Sequence, residues 1–100
     1  MIYYVDIDGT ICTNTNGNYK LAKPLVNRIE IINHLYESGH EIHYWTARGG
    51  HSGKDYSELT KKQLTEWGCK YTELHMKKPS YDVFIDDKAM NDREFFQCML

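Results

Sequence analysis

Short β-forming runs alternate with helix-period segments along this chain, and that alternation restricts its fold more than any other feature. Residues 2–6 form an apolar, β-rich run that ends in acid and reads as a buried strand. Pro24 suits the first turn of a helix, Leu25, Ile29, Ile32 and Leu35-Tyr36 recur at helical spacing, and Gly39 can cap its end. Residues 41–46 predict a second strand. Asp55-x-x-Glu58 resembles a capping box, with Leu59, Gln63-Leu64 and Trp67 on one helical face and Gly68 at its end. Residues 71–75 and 82–86 predict third and fourth strands, and Asn91 is placed to cap a last short helix through Phe95-Phe96. Strands separated by helices imply an α/β fold with a parallel sheet. Such sheets place their sites beyond the carboxyl ends of the strands. The 100 residues suffice for a single domain, 1–100.

Between the first strand and the first helix, Asn16-Gly17 is a hairpin-turn signal. Its flanks, 11–14 and 18–21, predict a small two-stranded flap within residues 10–23. Cys12, Cys69 and Cys98 are odd in number and include no Cys-x-x-Cys, which points to free thiols in a reducing cytoplasm. No cysteine is followed six positions later by Arg, as a cysteine-phosphatase loop requires. The His40-x-x-His43 pair is a poor zinc site, since strand positions three apart face opposite sides. A net charge of −2 gives no field for nucleic acid or acidic membranes. No apolar run approaches the roughly 20 residues needed to span a bilayer, and the first residues lack the pattern of a signal peptide. A cytoplasmic location is expected.

The polar motifs all follow predicted strands. In Asp6-Ile7-Asp8-Gly9-Thr10 a spacing of two lets both carboxylates face one side, where one can attack phosphorus while the other manages a proton. Gly9 permits a tight turn and close approach to an anion. Asp86-Asp87 follows the apolar Val83-Phe84-Ile85; adjacent acids repel unless solvated in a loop or neutralised by a hard cation such as Mg²⁺. The Thr46 hydroxyl and the amides after it, from Ala47 onward, could hold a phosphoryl oxygen. Arg48 could contact an anionic substrate or lie on the surface. Lys78, with Lys77 beside it and Pro79 after it, could balance charge at the nucleophile or be an ordinary surface lysine. Lys88 is a rival for that role. No helix fits between Lys78 and the run ending at Asp86.

Taken in order, Asp6-x-Asp8-Gly9-Thr10, Thr46, Lys78-Pro79 and Asp86-Asp87 resemble the four motifs of the haloacid dehalogenase (HAD) superfamily. Thr46-Ala47-Arg48-Gly49, Gln63-Leu64-x-x-Trp67-Gly68 and Ile85-Asp86-Asp87-Lys88-Ala89 are similar to small bacterial or phage HAD phosphatases, some of them of the capsule-biosynthesis type. The resemblance implies a three-layer Rossmann-like fold with strand order 4-1-2-3. It implies Asp6 as nucleophile, Asp8 as acid and base, Lys78 as the stabilising lysine, and a phosphate site at Gly9, Thr10, Thr46, Ala47 and Arg48. Mg²⁺ would be held by Asp6, the Asp8 carbonyl, Asp86 and Asp87.

The expected activity is Mg²⁺-dependent hydrolysis of a phosphomonoester through an aspartyl-phosphate. An Asp at the position of Asp8, where related transport ATPases carry Thr, favours a phosphatase. Only about fifteen residues separate Gly9 from the Pro24 helix, too few for a cap domain. The site should therefore be open, or completed by a second copy of the chain, and take a small phosphorylated substrate such as a sugar phosphate. A nucleotide and a polynucleotide 3′-phosphate stay open, the last disfavoured by charge. A receiver-type signalling module has its acid pair first and its lysine last, the reverse of this chain. A phosphate-binding protein without turnover is the other alternative.

Overall fold

The computed structural model describes residues 1–50 and 52–99. The apolar runs become three short strands, β1 (Ile2–Val5), β2 (Glu41–Trp45) and β3 (Glu73–His75), and the periodic segments become α1 (Val26–Glu37), α2 (Ser57–Glu66) and α3 (Asp92–Met99). The strands pair in parallel in the order β1-β2-β3, with Ile2 opposite Glu41 and His43 opposite Glu73. Helices α1 and α2 supply the crossovers that parallel pairing demands. The chain is thus a small α/β unit, as the alternation predicts.

Strand parity divides the sheet into two unlike faces. Val5, Ile42 and Tyr44 point to one side and join a single core with Ile29, Ile32 and Leu35 of α1, Leu64 of α2 and Phe96 of α3. All three helices therefore bury their apolar stripes on the same face. The opposite face carries Ile2, Tyr4, Glu41, His43, Trp45, Glu73 and His75, and Ile2 and Tyr4 remain 63% and 57% exposed there. The result is two layers, where three were expected. The shortest extent of the molecule, 20 Å, fits a sheet with one helix layer, a helix being roughly 10–12 Å across.

The missing layer and the missing strand share a cause. Only six residues, 76–81, join His75 to Asp82, whereas a parallel strand is normally reached by a crossover of a dozen or more. No fourth strand forms over 82–86. Val83, Phe84 and Ile85 are exposed, Ile85 by 90%, and β1 keeps an unpaired edge. Order 4-1-2-3 is accordingly not the arrangement seen.

Smaller departures have local causes. The Asn16-Gly17 turn forms with both residues at positive φ, 54° and 94°, as a tight hairpin turn requires. Paired flap strands do not follow it. The chain curls instead into a 3₁₀ turn, Tyr19–Leu21, and the loop closes where the Thr13 N–H donates to the Lys23 carbonyl at 2.9 Å. Pro24 sits before α1, not in its first turn, because it bridges to Cys12. The capping box is not formed. Asp55 Oδ1 accepts from the Ser57 N–H and hydroxyl, at 2.9 and 2.6 Å. Asn91 does hold the start of α3, its side chain accepting from the Arg93 N–H at 2.9 Å.

Candidate active site

Residues that follow β1 and β2 converge on an open cleft of about 730 Å³. Asp6, Asp8, Thr46, Ala47, Arg48 and Lys78 all line it, and Asn14, Gly17 and Tyr19 of the 10–23 loop form one wall. Six of the residues singled out by sequence thus share one cavity at the carboxyl end of a parallel sheet, where open α/β sheets bind ligands.

Asp6 and Lys78 form the polar centre. Lys78 Nζ lies 3.5 Å from Asp6 Oδ1, and the lysine side chain is only 10% exposed. Its ammonium is flanked by the rings of Trp45 and Tyr81, each centred 5.3 Å away. The backbone positions it: the Lys78 N–H donates to the Thr46 carbonyl at 3.1 Å, and the Thr46 N–H donates to the His75 carbonyl at 2.9 Å. Those bonds tie the loop after β3 to the end of β2. Lys77 and Lys88 are exposed, so Lys78 is the lysine that meets Asp6. Burial raises the Asp6 carboxyl above its ordinary value of 3.8, and the charge of Lys78 opposes that rise.

Arg48 is neither a surface residue nor free to reach for substrate. Its side chain is fully buried and forms a fork on Asp8, with Nε to Oδ2 at 2.9 Å and Nη2 to Oδ1 at 2.8 Å. Nη1 donates to Thr60 Oγ1 at 3.2 Å and Gln63 Oε1 at 2.6 Å, both on α2. The Tyr19 ring lies 4.7 Å from the guanidinium carbon. Burial is the largest single influence and works against the charge on Arg48, but hydrogen bonding to Asp8 and the charge of Asp8, with Cys12 and Tyr19, together outweigh it and raise the guanidinium above its ordinary value. Gly49 permits this turn, since it has φ +85° and a Cβ there would strike the Lys54 carbonyl oxygen.

Cys12 closes the floor behind Asp8, its Sγ 3.5 Å from Asp8 Oδ1. Burial, with help from Asp8, pushes its thiol up to about 12. It stays protonated and is no nucleophile at neutral pH. Thr46 is almost fully buried, and its Oγ1 accepts from the Arg48 N–H at 3.2 Å.

Other expected site residues lie elsewhere. Gly9 borders a separate groove beside α1 and α3, and the Thr10 carbonyl accepts from Arg28 at 3.0 Å. Asp86 and Asp87 are exposed on the 81–90 stretch and do not line the cleft. Asp86 instead accepts from the Lys88 N–H at 3.2 Å. With those two acids outside and the Asp8 carboxylate bound to Arg48, Asp6 is the one carboxylate of the expected magnesium set presented unforked to the cleft. These residues, so placed, do not form a magnesium site.

The residues that hold Arg48 carry only a weak signal in the sequence. Thr60 and Gln63 are polar residues one helical turn apart on the buried side of α2. Two polar side chains beside Leu64 on the buried side of a helix signal a buried polar partner.

No family model and no curated protein matches the sequence. A crystallised protein from Vibrio cholerae, determined as an MCSG target, is similar to this chain at 26% identity and a TM-score of 0.82, covering 94% of this chain and 85% of that one, and the likeness is one of fold.

Proposed function

We propose that this chain is a phosphomonoester hydrolase of HAD type, with Asp6 as nucleophile. The observation that carries the reading is the ion pair of a part-buried Asp6 with Lys78, beside Asp8, in an open cleft at the ends of the strands. An Asp6 oxygen attacks phosphorus in line with the ester oxygen, the P–O bond to the alcohol breaks, and an aspartyl-phosphate forms. Lys78 offsets negative charge on the phosphoryl oxygens. Asp8 supplies the proton to the leaving oxygen and then takes one from the water that hydrolyses the intermediate. Arg48 orients Asp8 for that work. Both Asp8 oxygens accept from Arg48, yet each keeps a second lone-pair direction, and the side chain is still 18% exposed.

The resemblance adds a magnesium requirement and a fourth strand, and we propose both. Docking 82–86 on the free edge of β1 gives order 4-1-2-3 and brings Asp86 and Asp87 toward Asp6, and it requires the short 76–81 connection to run extended with no crossover helix. The unpaired edge and the exposed Val83, Phe84 and Ile85 support this. The open cleft favours small phosphorylated substrates such as sugar phosphates, handled in the cytoplasm.

Phosphate release from a panel of sugar, nucleotide and polynucleotide 3′-phosphates, with and without Mg²⁺, tests the reading. Turnover of a small monoester that Asp6→Asn abolishes, with circular dichroism unchanged, is expected. Turnover that survives Asp6→Asn overturns the nucleophile. Phosphate binding without turnover of any substrate establishes the non-catalytic alternative.

A further inference from the structure

The bare face of the sheet carries a second arrangement of side chains, separate from the cleft. Two adjacent parallel strands each present Glu-x-His: Glu41-Ile42-His43 on β2 and Glu73-Leu74-His75 on β3. A spacing of two puts all four polar residues on one face. The register sets His43 opposite Glu73, so the polar groups of the two strands interleave.

The geometry is that of a ligand set. His43 Nδ1 lies 2.9 Å from His75 Nε2, and Glu73 Oε2 lies 3.7 Å from the first and 3.6 Å from the second. A point equidistant from three atoms so spaced lies about 2.0 Å from each, matching Zn–N and Zn–O bonds of roughly 2.0–2.2 Å. The three edges also bracket the ligand separation of a tetrahedral site of that bond length. Two imidazoles with a carboxylate suit zinc, whereas Mg²⁺ and Ca²⁺ take oxygen donors.

A second feature points the same way. Glu41 Oε1 lies 3.1 Å from His43 Nε2. A carboxylate on the far ring nitrogen puts the proton on Nε2 and leaves the Nδ1 lone pair aimed at His75 and Glu73, the usual support of a metal-binding histidine. The Tyr4 ring stacks on both imidazoles, 4.9 Å from His43 at 6° and 5.4 Å from His75 at 20°. His43 is 8% exposed, so its ring is held by packing before any ion arrives. Two histidines facing nitrogen to nitrogen share one N–H in the metal-free chain, carried on His75 Nε2, and an ion bound there requires that proton to move to His75 Nδ1.

We propose that His43, Glu73 and His75 form a zinc-binding site on the open sheet face, with Glu41 as positioning residue and the fourth coordination position left to water. The ion would clamp β3, the shortest strand, onto β2. Nothing in this proposal depends on the phosphatase reading, since none of the four residues lines the cleft.

Isothermal titration of Zn²⁺ alone into the metal-free 100-residue chain tests it, with Co²⁺ absorption as a report of four-coordinate geometry. One ion per chain is expected, with a rise in Tm by mass action. His75→Gln and Glu73→Gln should each weaken binding tenfold or more, about 1.4 kcal/mol per tenfold. Glu41→Gln should weaken it by roughly 10–100-fold. Asp6→Asn and Cys98→Ser should leave it unchanged. Glu73 is 65% exposed at its side chain, so its variant is readable even if His75→Gln fails to fold. Absence of saturable binding, full affinity in Glu73→Gln, or loss of binding in Asp6→Asn or Cys98→Ser overturns the site.

Discussion

Asp8 is held by a buried arginine fork, and that fixes what Arg48 can do. A guanidinium bound through Nε and Nη2, with Nη1 spent on Thr60 and Gln63, has few donors left for substrate. Arg48→Lys keeps the charge but loses the fork. We expect kcat to fall about 100-fold, the scale of a misplaced catalytic group, with KM little changed. A higher KM at unchanged kcat would show that Arg48 binds substrate instead. Asp6 invites a pH experiment in metal-free buffer. Its carboxyl is raised above 3.8 in the folded chain, so the native state binds this proton more tightly than the unfolded state. Its contribution to stability is therefore fullest below pH 3.8 and is lost as pH rises through the folded value. Asp6→Asn removes the buried charge. The variant should show a higher Tm than the parent at neutral pH, and the gain should vanish toward acid. A gain that is constant across pH would sink this account.

Helix α3 is held to the core by the Phe95 and Phe96 rings and one ion pair. Phe96 is 4% exposed, and Arg28 of α1 lies over it at 4.6 Å while bonding Asp92 at 2.7 Å. Phe96→Ala should cost about 3–5 kcal/mol, the usual range for a buried aromatic, measured by urea unfolding. Asp92→Ala should cost less, about 1.5–3 kcal/mol, the scale of one charge-assisted hydrogen bond, since it leaves the Phe96 ring in place. The 10–23 loop behaves differently, because Asn14, Asn16 and Gly17 are cleft wall and are not core. Replacing residues 14–18 with a shorter Gly-containing turn should change KM and substrate preference more than Tm. Equal kinetics across a phosphomonoester panel would show that the loop only connects β1 to α1. Its turn was legible because Asn-Gly encodes positive φ locally; the absence of the expected flap strands was not, because pairing depends on what the second arm meets. That arm meets α2, where the Tyr19 carbonyl accepts from Gln63 at 2.7 Å.

At the scale of the whole molecule, helices cover one sheet face and 82–86 stays outside the sheet. If Mg²⁺ recruits Asp86 and Asp87, the segment must leave Trp45, whose ring now lies 6.3 Å from that of Phe84. In a Trp67→Phe background, Mg²⁺ should shift Trp45 emission, and Asp87→Ala should abolish the shift; no spectral change at saturating Mg²⁺ would remove the docking proposal. Among the described residues no helix is long and apolar enough to cross a membrane. Sequence alone determined the α/β class, three of the strands, the three helices and the gathering of Asp6, Asp8 and Thr46 behind them, while Lys78 rather than Lys77 or Lys88 was settled by the fold. Those follow from local periodicity and from the rule that parallel strands end at one edge. Tertiary structure alone decided that Arg48 is buried on Asp8, that Val83-Phe84-Ile85 lies outside the sheet, and that His43, Glu73 and His75 meet. Each of these depends on residues far apart in the chain: a fork needs α2 beneath it, a strand needs a connection long enough to reach its neighbour, and facing histidines need the register between β2 and β3.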